Sequence, residues 1–176
     1  AYQNLPVVFI GIGSGITYAP AGMTHYSIED IGLAKSMPNM NIISPSDPVQ
    51  VQKAMDFAIK SKNPTFIRIS RSGELKVFDE NIDITKPLHV KEGTDKAIIF
   101  HGSIVDEVLK AAESLEDVAI ISMPLISPFD EKEAENILKK YNKIYVVEEH
   151  FEEGGLGTVL SDFAMVKKIK DRKSVV

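Results

Sequence analysis

The sequence predicts an α/β protein of two three-layer units, each built on a mainly parallel sheet. Short apolar runs alternate with segments of helical period, the pattern of parallel strands joined by crossover helices. The alternation falls into two blocks, residues 1–72 and 95–176, separated by residues 73–94. That separating stretch mixes charges with Pro87 and Gly93 and has no sustained period, so it reads as a linker.

In the first block, Leu5 to Ile10 reads as a buried strand. Gly11, Gly13 and Gly15 then allow backbone conformations closed to residues with a side chain. Ile28, Ile31, Leu33, Ala34 and Met37 follow at near-helical spacing, and Pro38 ends that helix because its ring cannot continue the hydrogen-bond ladder. Asn41 to Ser44 is the second strand. Asp47 caps a helix over about 48–61, with Pro48 at its first position and Val51, Ala54, Met55, Ala58 and Ile59 on its inner face. Thr65 to Ile69 is the third strand. Within the linker, Leu88 to Val90 suits a short strand, and His89 is a linker residue.

The second block reads as strand Ala97–His101, helix Val105–Leu115, strand Val118–Ser122, helix Glu131–Lys140, strand Lys143–Glu148 and a helix from Gly155 or Leu156 to about Met165. Ser103 or Asp106 can cap the first of these helices, and Pro128-Phe129-Asp130 introduces the second.

Composition excludes several classes of function. A net charge of −5 is no nucleic-acid footprint, which needs a concentrated basic face. Lys167, Lys168, Lys170, Arg172 and Lys173 form the only basic cluster, which as a chain end is expected to be solvated. With no cysteine there are no disulfides, thiolate metal sites or thiol nucleophiles. No apolar run approaches the roughly 20 residues of a membrane span. Ala1-Tyr2-Gln3-Asn4 lacks the features of a signal peptide, so a cytoplasmic location is expected.

His25 is the leading candidate for chemistry. It lies between a glycine-rich loop and a helix, and ligands of open α/β sheets sit beyond the carboxyl ends of strands where such loops converge. Gly11-Ile12-Gly13-Ser14-Gly15 does not complete a dinucleotide fingerprint, because Ile16 stands where a further glycine is required and Thr17-Tyr18-Ala19-Pro20 follows instead of a helix. Glu148-Glu149-His150 ends a strand ahead of Gly154-Gly155-Leu156-Gly157, whose helix N–H groups could hold an anion. No further metal ligand is identifiable there, and a structural hydrogen bond from His150 is the favoured reading.

The run THYSIEDIGLAKSMPNMNIISPSDP, residues 24–48, resembles the pyrimidine-binding domain of the transketolase family through Thr24, His25, Glu29, Pro38, Asn39, Met40, Pro45 and Asp47. PTFIRISR, residues 64–71, resembles the strand that closes that domain. HGSIVDEVLKAA, ISPFDEKE and VVEEHFEEGGLGTVL resemble the family's C-terminal domain. The resemblance divides the chain into a partial pyrimidine-binding domain over 1–72, truncated on its N-terminal side, a linker over 73–94 and a C-terminal domain over 95–176.

The resemblance implies thiamine diphosphate chemistry, in which a two-carbon ketol unit passes between sugar phosphates. His25 would donate hydrogen bonds to substrate oxygens and the covalent intermediate. Arg71 would grip the anionic end of the substrate, and Ser14 and Tyr18 would face the cofactor or substrate. The family's catalytic glutamate, its aromatic cradle and its diphosphate and Mg2+ site have no counterpart in this sequence. The expected partner is therefore the missing N-terminal half or subunit, within a homodimer or heteromer, and the chain alone is expected to be inactive. Ala21 stands where transketolases carry an acid that reads a sugar hydroxyl, Met23 replaces the usual proline, and Gly13 replaces a second histidine or an acid. These changes remove partners for sugar hydroxyls, so the ketose stays open. Two other readings remain: a beta-subunit-like part of a 2-oxo acid dehydrogenase, and a non-catalytic module for dimerisation or regulation.

Overall fold

The computed structural model describes residues 2–71 and 75–169. Ser72 at the end of the first block, Gly73 and Glu74 of the linker, and Lys170, Arg172 and Lys173 of the basic tail lie outside the described residues. The elements run β1 (Val8–Ile12), α1 (Asp30–Lys35), β2 (Asn41–Ile43), α2 (Pro48–Lys60), β3 (Thr65–Ile69), β4 (Leu88–Lys91), β5 (Lys96–Phe100), α3 (Val105–Ala112), β6 (Val118–Ser122), β7 (Leu125–Ser127), α4 (Glu131–Lys140), β8 (Lys143–Val147) and α5 (Leu156–Val166). They form two four-stranded sheets, ordered β1-β3-β2-β7 and β4-β6-β5-β8. β1, β3 and β2 are mutually parallel, as are β6, β5 and β8, whereas β7 and β4 join their sheets antiparallel. The α/β class with mainly parallel sheets is thus the observed one.

The two sheets are joined by chain crossing between them and by a shared core. β7, from the second block, completes the first sheet by pairing Ile42 with Ser127 and Ile43 with Leu125. Ile31, Ala34, Met40 and Ile42 share one apolar cluster with Ile99, Ile121, Ile126 and Leu156. Asp47 ties the linker to the same body. It caps α2 by accepting from the Gln50 N–H at 2.7 Å, and its second oxygen accepts from the N–H groups of Val77 and Phe78, each at 2.9 Å.

Several expectations need correction. The first strand begins at Val8 rather than Leu5 and is an edge strand, hydrogen-bonded to β3 alone. Its apolar residues are therefore open, with Phe9 49%, Ile10 48% and Ile12 72% exposed. Ile59 is 72% exposed, because the buried stripe of α2 runs through Gln50, Ala54 and Ala58 and leaves Ile59 about 100° round the helix. Leu33 and Met37 also lie off the core face of α1, a short helix of six residues. Neither Ser103 nor Asp106 caps α3. Gly102–Ile104 form a 3-10 turn leading into α3, and the Ser103 hydroxyl donates to Glu149 instead.

Candidate functional site

β1 and β3 run parallel, so their carboxyl ends lie at one edge of the first sheet. The glycine loop leaves β1 at that edge, and Arg71 follows β3. The N–H groups of Gly13 and Ser14 both donate to the carbonyl of Ile69 at 3.0 Å, which joins the two strand ends. Gly13 (φ 91°) and Gly15 (φ 61°) take the left-handed conformations expected of them. Beyond them the chain makes an excursion over residues 16–26 through two 3-10 turns, Ala19–Ala21 and Met23–His25. Gly15 and Ser27 close its neck with a reciprocal pair of backbone hydrogen bonds of 3.0 and 2.9 Å.

At this loop three of the sequence-nominated residues meet, Tyr18 and His25 from the loop and Arg71 from the end of β3. The Arg71 guanidinium carbon lies 4.0 Å from the centroid of the Tyr18 ring. His25 meets the same ring edge-to-face, with centroids 5.1 Å apart. The contacts are of the cation–π and aromatic kinds, and they orient two exposed polar side chains through one half-buried ring. Thr24 Oγ1 lies 2.9 Å from His25 Nδ1 and so directs the imidazole further. Ala21 and Met23 offer no polar side chain beside His25, and a Cβ on Gly13 or Gly22 would meet only open space.

Ser14 sits differently. It is buried, and its hydroxyl lies 3.3 Å from that of Ser103, facing the second block. It belongs to a polar seam that sequence reasoning missed. Arg68, only 1% exposed, places its Nε 2.8 and 3.0 Å from the two carboxylate oxygens of Asp30. Its terminal N–H groups donate to the carbonyls of Ser27 and Glu149, each at 2.8 Å. The available signal was a cation inside an otherwise apolar strand, Thr65-Phe66-Ile67-Arg68-Ile69, since an arginine there must be paired to be buried.

The seam continues through a second buried group. His101 Nε2 lies 3.0 Å from Glu148 Oε2, and His101 Nδ1 lies 2.9 Å from Ser44 Oγ. Burial pushes the His101 pKa below its ordinary value, more than the Glu148 hydrogen bond raises it. The neutral ring then donates from Nε2 to the carboxylate and accepts at Nδ1. Glu148 also accepts from the N–H groups of Leu156 at 2.8 Å and Gly157 at 2.9 Å. Burial alone would raise the Glu148 pKa, but the hydrogen bonds from His101, Gly157 and Leu156 outweigh it and leave the pKa below its ordinary value. The α5 N-terminus thus takes its anion from the chain itself. His150 makes structural contacts, with Nε2 accepting from the Gly32 N–H at 3.3 Å.

Among the described residues no group of three or more His, Asp or Glu could hold a metal ion. With the α5 N-terminus already occupied by Glu148, these residues do not fit the diphosphate and metal end of a cofactor. The features that do converge, at the carboxyl ends of β1 and β3, are an imidazole and a guanidinium oriented by one ring. Both groups are hydrogen-bond donors of the kind that suits an oxygenated, anionic ligand.

Comparison with known proteins assigns the class more closely. Residues 1–73 match the transketolase pyrimidine-binding domain, and residues 86–174 match the transketolase C-terminal domain. The chain belongs to the transketolase family. It is 30% identical over 167 residues to an apulose-4-phosphate transketolase subunit of Actinobacillus succinogenes, covering 92% of this chain and 54% of the relative. It is 28% identical over 177 residues to 1-deoxy-D-xylulose-5-phosphate synthase of Rhodopirellula baltica, covering 98% of this chain and 28% of the relative. Among solved structures, a split gene transketolase described as an inactive beta4 tetramer superposes with a TM-score of 0.84 at 26% identity, covering 95% of this chain and 56% of the other. The chain spans about half the length of the subunit relatives it matches.

Proposed function

We propose that this chain supplies the substrate-side face of a thiamine-diphosphate-dependent transketolase-like enzyme that transfers two-carbon ketol units between sugar phosphates. The observation that carries the reading is the joint contact of His25 and Arg71 with Tyr18 at the carboxyl ends of β1 and β3. Arg71 binds the anionic end of the substrate, for which a planar guanidinium is suited to bidentate contact. A Thr24 hydroxyl that donates to Nδ1 would leave the His25 Nε2–H free to donate to a substrate oxygen. Tyr18 orients both groups and lines the cofactor or substrate. Ser14 acts indirectly, from within the seam behind the loop. Thiamine diphosphate, bound with Mg2+ in the complete enzyme, supplies the carbon nucleophile that accepts the ketol unit. Its diphosphate and metal are held by a part of the enzyme other than the residues described above.

The open face of β1 serves assembly. Phe9, Leu33, Met37, Met40 and Phe66, with Asp30 as the one charged residue, line a cleft of about 380 Å³ beside it, and both faces of this edge strand are apolar. The occupant is the N-terminal part of the enzyme or its separate subunit, within a homodimer or heteromer. Relatives described as one subunit of a transketolase, or as a transketolase C-terminal section, support a divided enzyme.

Calorimetric titration with thiamine diphosphate and Mg2+ tests the division of labour. This chain alone should give no binding heat, whereas the complete enzyme should bind the cofactor. Tight binding by this chain alone would contradict the proposal.

A further inference from the structure

We infer that the loop of residues 148–154 is a clamp on the neck of the His25 loop, and that Arg68 and Glu149 are positioning residues for Tyr18 and His25. The inference rests on the proposed role of that loop in catalysis, but the clamp itself is defined by contacts alone.

The backbone of the loop over residues 16–26 is closed at its neck by the Gly15–Ser27 bridge, and both sides of that bridge are tied to the second block. On one side the Ser27 carbonyl accepts from Gly15 N–H at 3.0 Å and from Arg68 at 2.8 Å. Arg68 also binds the Glu149 carbonyl, so a single guanidinium joins the neck to the 148–154 loop. Asp30 completes that arrangement by pairing with Arg68 and accepting from the Ser27 hydroxyl at 2.8 Å. On the other side, a Cβ at Gly15 would lie 2.5 Å from the Glu149 side chain, so the glycine backbone is seated directly against that residue. Glu149 is itself fixed by the Ser103 hydroxyl, 2.5 Å away.

The clamp extends into α1. Phe151 N–H donates to the Ile28 carbonyl at 2.8 Å, and Gly32 N–H donates to His150. A Cβ at Gly154 would meet Gly32 Cα at 2.8 Å, an approach of the two backbones that only glycine permits. Three consecutive residues, Glu149 to Phe151, therefore hold the chain around the start of the helix. By contrast, the tip of the loop is held by its own turn hydrogen bonds and by the Tyr18 contacts to His25 and Arg71. Tyr18 and His25 inherit their positions from the neck, and the neck from the second block. The C-terminal unit thereby acts on the site through Glu149, which meets Arg68 and Gly15 at the neck.

The test uses Arg68→Met and Glu149→Ala in the complete enzyme. Arg68→Met leaves a half-buried Asp30 carboxylate without its cationic partner and can unfold the chain, whereas Glu149→Ala removes only a half-buried side chain. Hydrogen–deuterium exchange read by mass spectrometry should show residues 16–26 exchanging about tenfold faster or more in Glu149→Ala, with β5 and β6 unchanged. Transferase kcat should fall about tenfold or more, as expected when a reacting group is displaced by about 1 Å, with a smaller change in KM. Arg68→Lys, which keeps the Asp30 pair and loses the contacts to the Ser27 and Glu149 carbonyls, should speed exchange over residues 16–26 at least as much as Glu149→Ala, which keeps that carbonyl contact. Unchanged exchange over residues 16–26 in both Glu149→Ala and Arg68→Lys would overturn the clamp. Faster exchange with unchanged kcat would leave the clamp standing and instead contradict the catalytic role assigned to His25.

Discussion

β1 and β6 look alike in sequence and differ in what surrounds them. Val8-Phe9-Ile10-Gly11-Ile12 and Val118-Ala119-Ile120-Ile121-Ser122 are both short and apolar. β6 lies between β4 and β5 with every residue buried, while β1 pairs on one side only and leaves most of its length open. Composition records what a strand is suited to meet, and sheet position decides whether it meets it. The interior strand and the seam beside it set stability, while the open strand is available for assembly and leads directly into the site loop.

The contrast is sharpest for a buried polar group. Glu148→Ala removes the partner of His101 and the acceptor for two helix N–H groups, so it should cost about 3 kcal/mol or more in denaturant unfolding. A loss below about 1 kcal/mol would mean that the seam is not a stabilising element.

A pH dependence follows from the same seam. The folded His101 pKa lies below 6.5, so near that pH the unfolded chain binds a proton that the folded chain does not. The stabilisation is complete above about 6.5 and declines as pH falls below it, by at most about 1.4 kcal/mol per pH unit for one proton. Glu148 adds a second loss at lower pH. Its folded pKa lies below 4.5, so its contribution is present above 4.5 and disappears as pH falls through the folded value. His101→Gln should flatten the stability slope between about pH 7 and 5, and an identical slope would exclude His101 as its cause.

The smallest effect belongs to the open strand. Ile12→Thr, at a residue 72% exposed, should shift the stability of this chain by no more than about 0.5 kcal/mol. The same substitution should weaken association in the complete enzyme, measured by analytical ultracentrifugation. Equal association by both proteins would assign the β1 face no role in assembly.

Much of the fold was legible because the local signals agreed with the tertiary environment. Thr65–Ile69, Val118–Ser122 and Glu131–Lys140 have the ends expected of them, and Asp47 and Asp130 cap the helices they precede. β7 was not legible. Its three residues carry no period, and its pairing with β2 is a long-range choice made by the joined core. At the site, His25 and Arg71 stood out through a motif, and the structure adds that both rest on Tyr18. The second oxygen of Asp47, the Arg68 hub and the internal anion at α5 all depend on partners distant in sequence, which residue spacing does not encode.

The central claim, that the Tyr18 platform presents Arg71 to an anionic substrate, is tested most directly by the steady-state kinetics of Arg71→Ala in the complete enzyme. KM for a phosphorylated ketose or aldose should rise about tenfold or more, consistent with loss of a charge-assisted contact worth about 1.5–3 kcal/mol, with kcat changed far less. An unchanged KM would contradict the substrate site at the carboxyl ends of β1 and β3.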